Sequence, residues 1–396
     1  MIYDFDACID RRGTHAVKWD YEPVARARER NPDLLPMWVA DMDLPSPEPV
    51  VRALRERAAH PVYGYTLVPE SLLDAFIEWH RRRHGTPIGR DEIISVTGVM
   101  PAVEAAIATF TEPGDGVVIQ TPVYFPFYDA VAKQGRTIVR NPLREVDGRY
   151  TVDMDNLRKC FREGARMLLL CSPHNPVGRV WARPELEEMA RICAEEGAFV
   201  VSDEIHCDVL LHGSTFTSVL SLGEEVRANS LVTTSPSKSF NIAGSSCAQA
   251  VLPDPDQRKR FKRSVMARGI WMPNLFGVAA TEAAYAEGAE WLDQLLPYLT
   301  ETDEMVRRDL AVLAPKVRVT PLEGTYIAWL DFREVLAEKG KDHGDLRGAI
   351  EAAGVWPSDG KLFGEEGIGF QRLNIAAPRA TVREAVRRIA AALDAL

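Results

Sequence analysis

Short, almost wholly apolar runs alternate with helical periodicity between residues 93 and 234, and this alternation limits the fold more than any other feature of the chain. The segments 93–96, 117–120, 137–139, 167–170, 199–202 and 230–234 read as strands, with helices predicted at 101–110, 125–133, 155–163 and 184–196. A strand that is apolar at nearly every position is buried on both faces, and helices between successive strands let them run parallel. The expected fold class is therefore α/β, a mainly parallel sheet between helices. Ligand sites in such sheets lie beyond the carboxyl ends of the strands, where the polar residues of interest in this chain fall.

The flanks have a different character. At 396 residues the chain exceeds what one core usually supports, so two domains are expected. Residues 1–46 read as an irregular arm that also joins a smaller domain, 47–290 as the large domain and 291–396 as the small one. Helices are predicted at 47–60 and 71–84, and a long helical pattern runs from 275 to 313, eased by Gly288 and Pro297. Beyond it, sheet at 317–319, 323–330 and 372–375 mixes with helices at 345–353 and 381–396, an α+β pattern.

A net charge of −10 argues against a nucleic-acid footprint or an anionic membrane surface, and favours a small-molecule partner. The six cysteines contain no Cys-x-x-Cys pair or zinc-ligand spacing, so reduced thiols and no metal are expected. The chain opens without a basic and then apolar leader, and no apolar run reaches membrane-spanning length. A cytoplasmic protein is expected.

Lys238 sits among Ser235, Ser237 and Ser239, just past the strand at 230–234. A lysine amine condenses with an aldehyde, the way pyridoxal 5′-phosphate (PLP) is held, and nearby hydroxyls can receive a phosphate. An exposed loop lysine has the same local sequence. The Ser-x-x-Lys of penicillin-binding enzymes is also matched, but no Ser-Asp-Asn or Lys-Thr-Gly accompanies it.

A PLP site needs further parts, and each has a candidate. Thr97-Gly98-Val99-Met100-Pro101 runs from a strand into a helix, whose free amides suit a phosphate, though an ordinary turn reads the same way. Asp203 ends a strand where a carboxylate could keep a pyridine nitrogen protonated. His206 reaches the same place only if the chain curls past the strand end, and Asp203, His206 and Cys207 also read, less well, as metal ligands. Tyr124 could stack on a ring or pack in the core. Asn175 could meet a ring oxygen, and Arg372 a substrate carboxylate or a surface acid.

Taken with Trp38-Val39-Ala40-Asp41-Met42-Asp43, Tyr63-Gly64-Tyr65-Thr66, Ser172-Pro173-His174-Asn175-Pro176-Val177-Gly178 and Ser202-Asp203-Glu204-Ile205-His206, the chain resembles the fold-type I PLP enzymes of the aspartate aminotransferase-like superfamily. More narrowly it resembles the MalY and PatB type cystathionine β-lyases, over essentially its whole length. The resemblance implies a seven-stranded sheet in the large domain, PLP as cofactor and a homodimer with a shared active site. It implies that Lys238 carries the cofactor and removes the α-proton, and that Asp203 pairs with the pyridine nitrogen. By the same resemblance Tyr124 would stack on the ring, while Asn175 and His206 would lie by its hydroxyl. Val99, Met100, Ser235 and Ser237 would hold the phosphate, and Tyr65 would come from the neighbouring subunit. Arg372 binds the substrate carboxylate, helped by backbone near Ala40, with Asn175 and Tyr124 beside it.

Ser246 stands where many aminotransferases of the superfamily have a phosphate-gripping arginine, which fits the lyase branch. Ala377 replaces a cysteine common in these lyases, and 268–274, an atypical stretch, is expected to line the distal substrate pocket. The expected reaction is α,β-elimination of L-cystathionine or a related L-cysteine S-conjugate to thiol, pyruvate and ammonia. The rival readings are a PLP-dependent aminotransferase and a non-catalytic regulatory protein on this fold.

Overall fold

The computed structural model describes residues 1–396. Seven strands form the main sheet in the order Ile93–Val96, Ala248–Val251, Ser230–Thr234, Phe199–Asp203, Ala165–Cys171, Gly116–Ile119 and Thr137–Arg140. Ala248–Val251 is antiparallel to both neighbours, and the remaining pairings are parallel. This strand is absent from the sequence reading because its alanines and Gln249 carry little strand signal, yet all four residues are buried.

Both faces of the sheet are covered, as the continuous apolar runs require. Val118, Leu168, Leu170, Val200 and Val232 pack on one side in a core shared with Trp291 and Leu295. Val117, Ile119, Met167, Leu169, Val201 and Leu231 pack on the other with Val103, Phe127 and Phe261. Side chains alternate between faces along each strand, so one apolar run feeds two cores.

The predicted helix over 275–313 is two helices, Leu275–Glu287 and Ala289–Leu313, with Pro297 inside the second. The break falls at Gly288, where a Cβ would collide with the Ala284 carbonyl oxygen and the Phe240 ring. A second sheet of four antiparallel strands follows, ordered Arg318–Val319, Ile327–Asp331, Phe370–Asn374 and Ser358–Asp359. Its second strand begins at Ile327 rather than 323, because Thr325 takes a φ of 71° and turns the chain there.

Residues 1–46 are less irregular than expected. They contain the helices Val17–Asp20 and Glu22–Arg30, the latter with a proline in its first turn. Val24 and Ala27 of that helix pack with Leu34 against Trp38 and Trp356. Leu35 and Pro36 then pair in parallel with Val355 and Trp356, joining this end of the chain to its last third.

Candidate active site

Beyond the carboxyl ends of the central strands lies a cavity of about 450 Å³. Val99, Met100, Tyr124, Asn175, Asp203, His206, Ser235, Ser237, Lys238, Arg372 and Ala40 all line it, so residues spread over most of the sequence meet in one place. Tyr65 does not: it is 97% exposed and outside the cavity.

Asp203 is the last residue of its strand and is 3% exposed. One carboxylate oxygen accepts the Ile205 amide at 3.1 Å. Burial pushes its pKa up to about 7, against the lowering effects of that hydrogen bond and of Lys238. Such a group is a carboxylate short of a cation. His206 joins the cavity because the chain turns directly after the strand, with the Cys207 amide on the Glu204 carbonyl at 3.0 Å and the Val209 amide on the His206 carbonyl at 3.0 Å. Burial, with Lys238 and Arg372 nearby, drives His206 down to about 3, which leaves its imidazole neutral.

Lys238 follows the strand Ser230–Thr234 and donates from Nζ to the Ala40 carbonyl at 2.6 Å. Burial lowers its pKa to about 8; Asp41 and Asp203 oppose that shift and Arg372 adds to it. Arg372 comes from the other sheet. Its guanidinium donates to Asn175 Oδ1 at 3.1 Å, to the Trp38 carbonyl at 2.6 Å and to Ser358 Oγ at 2.9 Å, and it lies 4.7 Å from the Phe363 ring centroid.

The helix Val99–Phe110 opens its first turn onto the cavity, an arrangement that suits an anion. First-turn amides lack acceptors within the helix, and Pro101 has no N–H, so Val99 and Met100 carry the free donors. The Ser235 hydroxyl is partly committed, donating to the Cys247 carbonyl at 2.7 Å and accepting the Ser237 amide at 3.2 Å.

These parts fit a phosphorylated pyridine aldehyde. His206 Nδ1 and Arg372 Nε are buried without a hydrogen-bond partner, Asp203 lacks a cation, and the half-buried Lys238 amine stands in the same cavity as the free helix amides. Unpaired buried polar atoms of this kind are costly unless a ligand completes them.

The family model for aminotransferase class I and II matches residues 32–389, and so spans both sheets and every cavity residue named above. The chain belongs to the aminotransferase class I and II family. Within it, the chain is 40% identical to the cystathionine beta-lyase PatB of Bacillus subtilis (strain 168), over 99% of this chain and 100% of that protein. It is 32% identical to Protein MalY of Escherichia coli (strain K12), with both chains fully covered. Among solved structures, cystalysin from Treponema denticola, which contains a pyridoxal 5′-phosphate cofactor, matches with a TM-score of 0.94 and 36% identity over 100% of both chains.

This member of the aminotransferase class I and II family also uses residues that sequence reasoning did not single out. Tyr326 donates its hydroxyl to the Ala40 carbonyl at 2.9 Å. Asn374 Nδ2 donates to the carbonyls of Val39 and Asp41, both at 2.6 Å, and Asn241 holds Met42 and Leu44. Asn241 stands three residues after Lys238 and Asn374 two residues after Arg372, so closeness to those candidates was the available signal. Tyr326 had none, because its partner is a backbone carbonyl far away in sequence.

Proposed function

We propose that the protein is a PLP-dependent carbon–sulfur β-lyase that eliminates the thiol from L-cystathionine or a related L-cysteine S-conjugate, leaving pyruvate and ammonia. The observation that carries this reading is the meeting of Lys238, Asp203 and Arg372 in one enclosed cavity, in a chain 40% identical over its length to a cystathionine beta-lyase. When bound, PLP supplies an electron sink for the charge left at the substrate α-carbon.

Every other part of the task falls to the chain. Lys238 holds the cofactor aldehyde and takes the α-proton; a half-buried amine lowered to about 8 is partly neutral near neutral pH, as a base must be. Asp203 pairs with the pyridine nitrogen. Val99 and Met100 offer amides, and Ser235 and Ser237 their hydroxyls, to the phosphate. Tyr124 covers the ring, with Asn175 and His206 at its hydroxyl. Arg372 receives the substrate carboxylate as a planar fork, with Ala40, Asn175 and Tyr124 around it.

The division into a large domain of residues 47–290, a small domain of 291–396 and an arm of 1–46 belongs to the same reading. So does a cytoplasmic homodimer in which Tyr65 enters the partner's site. Val62, Tyr63, Tyr65 and Leu67 are 63%, 57%, 97% and 87% exposed, an apolar run that a second subunit would cover. Six unpaired cysteines fit a reducing compartment.

The test is turnover of L-cystathionine and S-substituted L-cysteines without any keto-acid acceptor. Equal amounts of pyruvate and thiol are expected. Turnover only when a keto acid is supplied, without pyruvate formation from the substrate, would replace this reading with transamination.

A further inference from the structure

The helix Glu70–His84 ends with His80 and His84 four residues apart, which puts both imidazoles on one face of one helix. The chain leaving the strand Phe199–Asp203 returns to that face and brings Cys207 with it. One ligand atom from each of His80, His84 and Cys207 lies within 4.8 Å of the others. The cluster is enclosed: His80 and Cys207 are 4% and 1% exposed, and the His84 side chain is 3% exposed.

Two observations separate this cluster from ordinary core packing. His80 Nε2 is buried and has no hydrogen-bond partner. His84 Nε2 meets Asp208 Oδ1 at 2.8 Å, which makes Nε2 the protonated nitrogen and leaves Nδ1 its lone pair. A carboxylate behind a histidine is the usual support of a metal-bound imidazole. Asp208 is fixed in turn by Trp79 Nε1 at 2.9 Å and Ser239 Oγ at 2.7 Å. The rings of Phe76 and Phe216 pack on His80 and His84, with centroids at 4.5 and 5.2 Å.

We propose that His80, His84 and Cys207 form a binding site for a zinc-class divalent cation, separate from the cofactor cavity. Two imidazoles and one thiolate are the donors a borderline-soft ion prefers. Bond lengths of about 2.0–2.1 Å to nitrogen and about 2.3 Å to sulfur place tetrahedral ligands roughly 3.3–3.6 Å apart, so modest side-chain rotation closes the cluster around an ion. Binding replaces the Cys207 S–H bond with a sulfur–metal bond and releases one proton to solvent. The charge remaining on the ion and thiolate is offset by the Asp208 carboxylate. Thr234 Oγ1, 3.7 Å from Cys207 Sγ, or a water completes the fourth position.

The ion would tie the helix Glu70–His84 to the segment that follows Asp203 and His206. Through Asp208 and Ser239 it would also brace the residue next to Lys238. Its role is structural support beneath the site, with no part in the elimination.

The test uses cofactor-loaded protein produced with Zn²⁺ supplied and then dialysed against metal-free buffer. About one zinc per chain is expected, with an X-ray absorption shell of one sulfur at about 2.3 Å and nitrogens at about 2.0–2.1 Å. Cys207→Ser and His80→Gln should each weaken zinc affinity by about tenfold or more while keeping the cofactor absorbance that reports folding. If neither variant folds, the sulfur shell of the parent protein decides. Negligible zinc in the parent, a sulfur-free shell, or full zinc retention by both variants would overturn the proposal.

Discussion

Lys238 and Tyr326 converge on one acceptor: Nζ and the phenol hydroxyl donate to the Ala40 carbonyl at 2.6 and 2.9 Å. The amine follows the strand Ser230–Thr234 of the main sheet, the phenol immediately precedes the strand Ile327–Asp331 of the second, and the carbonyl belongs to the first 46 residues. The lysine is thus aimed by an acceptor that the rest of the fold must hold still.

Tyr326→Phe deletes one of those two donors and leaves the ring in place. A stability loss of about 0.5–1.5 kcal/mol is expected, the ordinary worth of one hydrogen bond. Urea denaturation of the cofactor-free protein measures it.

Asn241 secures the neighbouring backbone, accepting the Met42 amide at 2.9 Å and donating to the carbonyls of Met42 and Leu44 at 3.1 and 2.8 Å. Its own φ is 54°, a left-handed conformation that asparagine tolerates and alanine resists. Asn241→Ala should cost about 2–4 kcal/mol, and Asn241→Gly about 1 kcal/mol less, since glycine loses the bonds but not the conformation. Equal losses in thermal or denaturant unfolding would show that the backbone angle contributes nothing.

Arg372 is buried, and its bonds to Asn175, Trp38 and Ser358 orient it before any substrate arrives. Arg372→Lys keeps a positive charge but loses the planar fork. The expected result is a fall in kcat/KM of about a hundredfold or more, carried mainly by KM, with the cofactor spectrum retained. Steady-state kinetics on a single S-substituted cysteine separates the two constants.

Buried groups of opposite sign set the pH dependence of the cofactor-free protein: His80, His174 and His206, held down to about 3, 4 and 3 by burial, favour folding more as pH rises, and Asp203 and Glu204 favour it less. Asp203 and Glu204 both have their pKa values raised to about 7 by burial, so between the unfolded value and 7 each binds more protons in the folded chain than in the unfolded one. Each of these two carboxyls therefore pulls stability down by up to about 1.4 kcal/mol per pH unit, against the three imidazoles. Asp203→Asn removes one of the downward contributions and should make the slope more positive than the parent's by up to about 1.4 kcal/mol per pH unit. Denaturation midpoints across that range give the slope directly.

Much of this arrangement was legible in the sequence. The parallel strands announced themselves because both of their faces are buried, and Asp203, Asn175 and Lys238 stand just where strands end. The strand Ala248–Val251 was hidden because small residues fit its crowded position without a strand signature. The break at Gly288 was partly visible from the glycine itself, but only the close approach of the Ala284 carbonyl and the Phe240 ring shows why no side chain fits there. Residues acting on backbone carbonyls, such as Tyr326 and Asn374, leave no pattern in sequence, because their partners are common to every residue.

The most direct measurement is the absorption spectrum and pyruvate yield of purified protein given L-cystathionine, alongside Lys238→Ala. The account predicts a bound chromophore and matched release of pyruvate and thiol in the parent, both lost when the lysine is removed. Pyruvate release that survives Lys238→Ala, or a parent protein that takes up no PLP, would contradict it.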